Sequence, residues 1–210
     1  MRHVLPAKAR RVLEIGCGPE GGFVPELLAD GREAIGVDPT APDLPEYRQV
    51  EFELAEINQP VDAVVACVSL HHVADLDTVM AKAHRALVPG GALIVVEWDW
   101  RRFDEATATW CFERLGPPSD EHSWLHHHRE EWQASGRSWG EHLQAWATEE
   151  ALHTGPEIQS AVAQRFEVRS AEWGPYFFPD LPGVTEADEA AAIEAGQIRP
   201  NRLLVVAHRP

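Results

Sequence analysis

A glycine-rich loop near the N-terminus constrains the fold of this chain more than any other feature. The loop, GCGPEG at residues 16–21, follows the apolar run VLEI (12–15) and precedes a helical pattern at 25–29 that ends at Gly31. Because glycine has no Cβ atom, the backbone N–H groups of such a loop can approach a ligand closely. A strand, a G-x-G-x-x-G loop and a helix in this order predict a βαβ unit with a ligand site at the loop.

An acidic residue follows this loop at a meaningful distance. Residues 34–37 (AIGV) predict a second strand, which is followed by Asp38, 20 residues beyond Gly18. A carboxylate at the end of the second strand can accept hydrogen bonds from both hydroxyls of a ribose. The pattern therefore indicates a cofactor that carries adenosine.

Short apolar runs alternate with helical patterns along the chain, which is typical of a mostly parallel sheet covered by helices. The run at 62–68 is nearly all apolar, as expected of a central strand buried on both faces. Apolar spacing predicts a helix over 76–87, ended by the sequence PGG at 89–91. We therefore predict an α/β fold, a Rossmann-like doubly wound sheet of about seven strands. The predicted strands are residues 12–15, 34–37, 47–54, 62–68, 92–96, 166–168 and 203–207.

Length and charge narrow the possible functions. At 210 residues we expect one domain, 1–210, without a second substrate-binding domain. The 34 acidic against 18 basic side chains give a net charge of −16, which repels phosphate backbones and anionic lipids. Neither a nucleic acid nor a membrane is therefore an expected partner.

Three features that the sequence lacks bear on the cellular compartment of the protein. No run reaches the roughly 18 apolar residues of a membrane span, and residues 1–6 lack the apolar stretch of a signal peptide. The three cysteines are widely spaced and form no C-x-x-C pair, so neither a disulfide framework nor a thiolate zinc site is indicated. We expect a cytoplasmic protein, either a monomer or a homodimer.

Glu14, two residues before the first glycine, distinguishes between adenosine cofactors. Dinucleotide sites place a pyrophosphate on this loop, and a nearby carboxylate would repel it. The amine of a sulfonium amino acid would instead be attracted to the carboxylate. An NAD-type oxidoreductase is thus an alternative that the glycine spacing permits and that Glu14 opposes.

Residues 12–19 (VLEIGCGP) resemble the first motif of the class I S-adenosylmethionine-dependent methyltransferases, in particular the small-molecule, methyltransferase type 11-like group. The resemblance extends in the correct order through four further segments. They are GVDP (36–39), VDAVV (61–65), SLHHV (69–73) and LVPGGAL (87–93). It implies S-adenosylmethionine as the cofactor, a small-molecule acceptor, and an antiparallel last strand at 203–207.

The resemblance also assigns roles around the loop and the end of the second strand. Glu14 would hold the methionine amine through water. Asp38 would accept the ribose hydroxyls, and Pro39 would flank the adenine. The backbone that would line the cofactor belongs to Gly16, Cys17 and Gly18.

The remaining cofactor contacts follow the third and fourth strands. Backbone from Cys67 to Ser69 would face the methionine moiety. Family members usually carry an aspartate after the third strand that contacts the adenine amine, and this chain departs from that pattern. Glu53 with Leu54 is the nearest substitute.

His71 and His72 follow the fourth strand, at the edge where open α/β sheets bind their ligands. Methyl transfer is an in-line displacement that needs mainly proximity and a nucleophilic acceptor, so a general base is optional. Either histidine could take a proton from an oxygen or nitrogen nucleophile. Because members of the resembled family often carry a histidine here without using it as a base, the resemblance favours a structural positioning role.

The stretch from 101 to 155, inserted after the fifth strand, differs in composition from the rest. Seven of the eight tryptophans fall between Trp98 and Trp146, with six histidines between 122 and 153. We expect an inserted helical lid here, whose aromatic side chains wall an acceptor pocket and exclude water. The candidate pocket residues are Trp98, Trp124, His126 and, from a later aromatic loop, Tyr176.

The tryptophans also allow a second interpretation. Trp132, Trp139 and Trp146 are spaced by seven residues, which would place them on one face of a single helix. Such a face would pack on the core. The two interpretations do not exclude each other.

Histidines and acids in this stretch raise the question of a metal site. His122-x-x-x-His126 could place two imidazoles on one helical face. Further candidate ligands are His127, His128, Glu121, Glu130 and Glu131. No thiolate accompanies them, and surface runs of histidine and glutamate are common, so the prediction is that no metal binds.

The sequence thus predicts an S-adenosylmethionine-dependent methyltransferase acting on a small molecule. A catalytically idle S-adenosylmethionine-binding module is the second alternative, after the oxidoreductase. First-motif residues report cofactor binding only, and the fold itself hosts many functions.

Overall fold

Seven β-strands form one mixed sheet in the structure, a computed structural model that describes residues 4–117 and 123–210. In chain order the strands are β1 (Arg11–Ile15), β2 (Glu33–Val37), β3 (Tyr47–Arg48), β4 (Val61–Cys67), β5 (Leu87–Trp98), β6 (Glu167–Gly174) and β7 (Arg202–His208). Their order across the sheet is β3-β2-β1-β4-β5-β7-β6. The pairs β3-β2, β2-β1, β1-β4 and β4-β5 are parallel, so the carboxyl ends of these strands share one edge.

The last strand of the chain, β7, runs antiparallel to its neighbour β5. The N–H of Gly90, near the start of β5, donates to the carbonyl of Arg209, and the N–H of Arg209 donates back to the carbonyl of Gly91, both at 2.9 Å. The beginning of β5 thus lies beside the end of β7. The predicted Rossmann-like, doubly wound α/β sheet with an antiparallel last strand is confirmed.

Seven α-helices accompany the sheet within the described ranges. They are α1 (Val24–Ala29), α2 (Leu76–Ala86), α3 (Glu105–Arg114), α4 (Trp124–Ser135), α5 (Trp139–Glu149), α6 (Gly155–Ala163) and α7 (Glu186–Glu194). Four of them begin at a side chain that accepts a hydrogen bond from the first turn, which satisfies an N–H that the helix leaves unpaired. These capping residues are Asp75, Asp104, Ser138 and Thr185. None of the described helices is long and apolar enough to cross a membrane.

The chain divides into two compact units. The sheet unit comprises the residues up to Glu97, Gly155–Glu172 and Leu203–Pro210. The helical unit comprises Trp98–Thr154 and Trp173–Arg202. The predicted lid, 101–155, falls almost wholly within the helical unit, which also contains α7. That residues 101–155 act as a lid, and that residues 1–210 form a single domain, stay predictions.

The core of the sheet unit is centred on β4. All residues from Ala63 to Ala66 are at most 1% exposed, as a strand covered on both faces requires. Asp62 is the exception in this apolar strand, and its carboxylate accepts the backbone N–H groups of Arg10 and Arg11 at 2.8 and 2.9 Å. These hydrogen bonds hold the pKa of Asp62 below its ordinary value. The expected central position of residues 62–68 is confirmed.

The third strand is shorter than its predicted span of 47–54. Only Tyr47 and Arg48 pair with β2, and residues 51–55 form turns instead. The backbone N–H groups of Leu54 and Ala55 donate to the carbonyl of Glu51, so turn hydrogen bonds take the place of strand pairing in this segment. The ammonium of Lys82 on α2 also donates to the carbonyls of Glu53 and Ala55. The prediction was therefore wrong beyond Arg48.

The boundary between α2 and β5 also differs from the prediction. The helix ends at Ala86, and β5 begins at Leu87, five residues before the predicted strand. The sequence PGG was expected to separate the two elements. Instead Gly90 and Gly91 continue the strand, because both exchange backbone hydrogen bonds with Arg209.

The core of the helical unit is largely aromatic. Phe103 is 1% exposed, and its ring centroid lies 4.5 Å from that of Phe177 and 4.9 Å from that of Trp139. Trp139 is fully buried, and its indole N–H donates to the carbonyl of Phe103 at 2.6 Å. Such a partner offsets the cost of burying the one polar atom of the indole.

Trp132, Trp139 and Trp146 do not share one helix. α4, which carries Trp132, ends at Gly136 in the left-handed conformation (φ +65°), and α5 begins three residues later. Glycine at a helix end followed by a serine cap is a stop and a start signal, and it overrides the seven-residue spacing. The prediction of a single helix face was wrong.

We expect Trp139→Phe to lower the free energy of unfolding by about 2–4 kcal/mol, since it leaves a buried carbonyl without its donor and a gap beside Phe103. Urea denaturation followed by circular dichroism measures this change. Trp132→Phe is the matched control, because its indole N–H donates to an exposed carbonyl that water can satisfy. Equal losses in the two variants would contradict the assignment of Trp139 as the anchor of this core.

Candidate functional site

A cavity of about 470 Å³ lies in the sheet unit at the carboxyl ends of β1, β2 and β4. This volume is in the range of small-molecule sites, and the edge is the one where open α/β sheets bind ligands. Its walls come from the glycine loop and from the segments that follow β2, β3 and β4. The lining residues are Ile15, Gly16, Gly18, Pro19, Val37, Asp38, Pro39, Thr40, Glu51, Phe52, Glu53, Val68, Ser69, His72 and Val73.

The glycine loop needs two of its glycines for different reasons. Gly16 (φ +73°) is pressed against the turn after β4, where a Cβ atom would lie 2.2 Å from the Cβ of Ser69. Gly18 also has a positive φ of +63°, but a Cβ there would meet no atom within 4 Å. Gly16 therefore permits close packing inside the protein, whereas Gly18 borders open space at the cavity.

Asp38 connects this loop to the end of β2. Its Oδ2 accepts the backbone N–H of Gly18 at 3.1 Å. Its Oδ1 accepts the backbone N–H and the hydroxyl of Thr40 at 2.7 and 2.6 Å. A carboxylate can accept about four hydrogen bonds, so Asp38 is fixed in orientation and retains capacity for a ligand hydroxyl.

Glu14 lies beneath the loop and is only 1% exposed. Its Oε2 accepts the backbone N–H of Phe23, just before α1, at 2.8 Å. Gly22 leaves room for this carboxylate, because a Cβ at that position would lie 2.3 Å from the Oε1 of Glu14. Burial raises the pKa of Glu14 to about 7. The side chain therefore changes charge near neutral pH.

Glu97, fully buried in β5, holds the turn after β4. Its Oε1 accepts the backbone N–H groups of Ser69 and Leu70 at 2.8 and 2.6 Å, and its Oε2 lies 2.7 Å from the Nδ1 of His71. His71 is 4% exposed, so it is a buried partner of Glu97, while His72 is exposed and lines the cavity. The structure thus separates the two candidate histidines.

The backbone is strained where β4 ends. Val68 has a φ of +51°, which is unusual for a β-branched residue, and its N–H donates to the carbonyl of Val96 at 2.7 Å. Its side chain is 37% exposed and lines the cavity. Such conformations persist only where the surrounding structure enforces them, and they cluster at functional sites.

The cavity brings together seven of the predicted residues and leaves five outside its lining. Those on its wall are Gly16, Gly18, Asp38, Pro39, Glu53, Ser69 and His72. Those outside its lining are Glu14, Cys17, Leu54, Cys67 and His71. Leu54 is 72% exposed, and burial raises the pKa of both the Cys17 and the Cys67 thiol to about 12, so these cysteines stay protonated.

Sequence reasoning missed several residues of the site. Thr40 had a local signal, because an Asp-x-Thr sequence often forms a side-chain turn. Glu97 had a weaker signal, an acidic residue at the end of an otherwise apolar strand. Phe52 and Val68 had none, because their place on the wall depends on the turns after β3 and β4.

Three of the four candidate acceptor-pocket residues form an aromatic cluster in the helical unit. The ring centroid of Trp98 lies 5.0 Å from that of Trp124 and 6.3 Å from that of Tyr176. His126 has different neighbours, since its Nδ1 lies 2.8 Å from the Ser123 hydroxyl and its Nε2 lies 2.9 Å from the Gly116 carbonyl. His122 and Glu121 lie outside the described residues.

Solved structures similar to the whole chain include methyltransferases. One is an S-adenosylmethionine-dependent methyltransferase from Mesorhizobium loti, with 20% identity and a TM-score of 0.59, covering 99% of this chain and 95% of that one. Another is geranyl diphosphate C-methyltransferase from Streptomyces coelicolor A3(2), with 16% identity and a TM-score of 0.56. The match covers 100% of this chain and 76% of that one. At these identities the likeness establishes the fold alone.

Sequence comparison gives a shorter but more similar match. The ubiquinone biosynthesis O-methyltransferase of Azorhizobium caulinodans is 34% identical over 109 aligned positions, which cover 45% of this chain and 42% of that protein. This chain spans about two fifths of the length of the curated relatives it matches.

The family follows from the extent of a further match. The profile of the family described as methyltransferase domain matches residues 3–153, well over half of the chain. The matched region contains the glycine loop, the residues that line the cavity and most of the helical unit. This chain belongs to the methyltransferase domain family, and its fold is that of the class I S-adenosylmethionine-dependent methyltransferases.

Proposed function

We propose that this protein transfers a methyl group from S-adenosylmethionine to a small-molecule acceptor. The observation that carries the proposal is the cavity at the carboxyl edge of the sheet, where Asp38 is fixed beside the open face of Gly18 and Glu14 lies beneath the loop. Family membership supports the reaction type.

The residues present fit the cofactor. Asp38 would accept a ribose hydroxyl with the lone pair that Gly18 and Thr40 leave unused. Pro39, Phe52 and Glu53 would wall the adenine. The glycine loop and Ser69 would line the methionine end, with the Glu14 carboxylate supplying negative charge for its amine.

The hydrogen bonds of the loop disfavour a dinucleotide. In pyrophosphate sites, the backbone N–H groups of this loop and of the following helix start donate to phosphate oxygens. Here the N–H of Gly18 donates to Asp38 and that of Phe23 donates to Glu14. Two donors are thus used by carboxylates, which themselves repel phosphate. This supports S-adenosylmethionine over NAD.

When bound, S-adenosylmethionine supplies an electrophilic methyl group on a sulfonium. The protein then has to align the acceptor and keep it nucleophilic. His72, exposed on the cavity wall, could accept a proton from an acceptor hydroxyl or amine. His71 is held by Glu97 and keeps the turn in place, so its role would be positioning.

For the acceptor we propose a small molecule that carries no phosphate or carboxylate group. The curated relative is named an O-methyltransferase, whereas a structural neighbour is named a C-methyltransferase, so likeness alone does not select the attacking atom. Residues 103–155 carry ten acidic side chains against three arginines. This charge would discourage phosphorylated or carboxylated acceptors.

We expect calorimetry to detect micromolar binding of S-adenosylmethionine and S-adenosylhomocysteine and no binding of NAD. Asp38→Asn should weaken S-adenosylmethionine binding at least tenfold, or about 1.4 kcal/mol, because it removes the charge that attracts the ribose hydroxyls. Asp43→Asn, a loss of charge at an exposed position nearby, is the control and should bind like the wild type.

Other results would replace the proposal. Binding of NAD alone would make the protein an oxidoreductase. Binding of S-adenosylmethionine without methyl transfer to any of a panel of phenols, alcohols and amines would favour an idle cofactor-binding module.

We expect the affinity for S-adenosylmethionine to rise with pH around neutrality. Since the raised pKa of Glu14 is about 7, this side chain is mostly neutral at pH 6 and mostly a carboxylate at pH 8. Only the carboxylate attracts the cofactor's ammonium, so the association constant should increase by up to about tenfold over this interval. Calorimetry at both pH values measures it. Glu14→Gln should bind weakly with a flat profile, and a wild-type rise in that variant would exclude Glu14 as the cause.

We expect His72→Ala to lower kcat about 100-fold with a phenolic acceptor at pH 7, as loss of a general base typically does. The deficit should shrink as pH rises towards the ordinary phenol pKa of about 10, because the acceptor then ionises unaided. Initial rates from pH 6.5 to 9.5 give this profile, and His127→Ala, at an exposed position on α4, is the control. A pH-independent deficit would indicate a positioning role for His72.

A further inference from the structure

We propose that the helical unit contains a binding site for a divalent transition-metal ion, best suited to zinc, formed by His128, Glu131 and His142. This site is separate from the proposed methyl transfer and does not depend on it. It combines two residues of α4 with one of α5. The sequence pattern had suggested a different set, centred on His122 and His126.

The three side chains come from two consecutive helices, α4 and α5, which are joined by the short turn at residues 136–138. His128 and Glu131 are three residues apart on α4 and therefore share a helix face. The left-handed Gly136 ends α4, and the Ser138–Glu141 capping box starts α5, which packs against α4 and carries His142. One ligand atom from each of the three side chains lies within 4.8 Å of the other two.

The distance between the imidazoles suits a shared metal. The Nδ1 of His128 lies 3.4 Å from the Nε2 of His142. Two nitrogens that each lie about 2.05 Å from zinc at a tetrahedral angle are about 3.3 Å apart. Without a metal, the same two nitrogens form a hydrogen bond at this distance. The spacing of the pair thus fits two ligands of one ion.

The surroundings hold the two histidines in place. The ring centroids of Trp124 and Trp146 lie 4.5 and 4.6 Å from that of His128, and Trp139 lies 5.5 Å from His142. Both imidazoles are buried, at 2% and 8% exposure. Packing of this kind fixes ring orientation and reduces the entropy lost when a metal binds.

The carboxylate side of the site is open to solvent. Glu131 is exposed, and its Oε1 lies 3.2 Å from the Nε2 of His127. A carboxylate oxygen of Glu131 also lies within 4.8 Å of a nitrogen of each buried ring. Two imidazoles and one carboxylate favour zinc over magnesium or calcium, which prefer oxygen ligands. Three protein ligands also leave a fourth position, where water or an oxygen of a small molecule could bind.

The test uses the full chain, purified without a histidine tag and freed of metal with a chelator. Titration with Zn²⁺ in a calorimeter should give one ion per chain, with at least 100-fold weaker binding of Mg²⁺. Co²⁺ should give the visible absorption of a four-coordinate site. Zn²⁺ should also raise the midpoint of thermal unfolding, because the ion binds only where α4 and α5 are packed together.

Variants identify the ligands. Glu131→Gln should weaken Zn²⁺ binding at least tenfold, while Glu130→Gln, which removes the neighbouring acid, should not. His142→Gln should abolish the cobalt absorption, while His84→Gln, a half-buried histidine of the sheet unit, should keep it. Glu131 is exposed, so its variant should fold even if the loss of His142 disturbs α5.

Two results would overturn the proposal. The first is that the wild-type protein binds Zn²⁺ no more tightly than Mg²⁺. Alternatively, Glu131→Gln and His142→Gln could both keep wild-type affinity, which would assign the ion to other surface side chains. In either case His128 and His142 would be packed core histidines.

Discussion

One buried carboxylate, Glu97, holds the part of the sheet on which the candidate site depends. Removing a carboxylate from water costs several kcal/mol unless hydrogen-bond donors replace the water. Glu97 obtains these donors from two backbone N–H groups of the turn after β4 and from a close contact with His71. The turn is therefore bound to the sheet. In this arrangement Ser69 presses against Gly16, and His72 faces the cavity.

The core of the helical unit is built from aromatic rings. Its indole and phenyl rings supply the buried area, and the N–H of Trp139 is satisfied by a backbone carbonyl. His128 and His142 lie among these rings and face each other. A carboxylate oxygen of Glu131 lies within 4.8 Å of a nitrogen of each of these buried imidazoles, and this grouping is the basis of the proposed metal site.

Predictions from the sequence succeeded where a local pattern decides the structure and were wrong where a distant residue decides it. The apolar run of β4 could only be a central strand, because burial on both faces needs apolar residues throughout. Residues 49–54 had the composition of a strand, but turn hydrogen bonds to the carbonyl of Glu51 and a contact from Lys82 to the carbonyl of Glu53 hold this segment, and the strand ends at Arg48. The seven-residue spacing of the tryptophans indicated one helix, yet Gly136 and Ser138 end one helix and begin the next.

The sequence by itself determined the order of the elements, the glycine loop and the two acidic residues beside it, because strand, turn and helix signals act within a few residues along the chain. Only the tertiary structure decided which histidine faces the cavity. His71 and His72 are adjacent in the sequence and chemically identical, and their difference comes from Glu97, 26 residues away from His71. In the same way, His142 joins His128 and Glu131 only because α5 packs against α4. Contacts between residues far apart in sequence depend on packing, which no local pattern records.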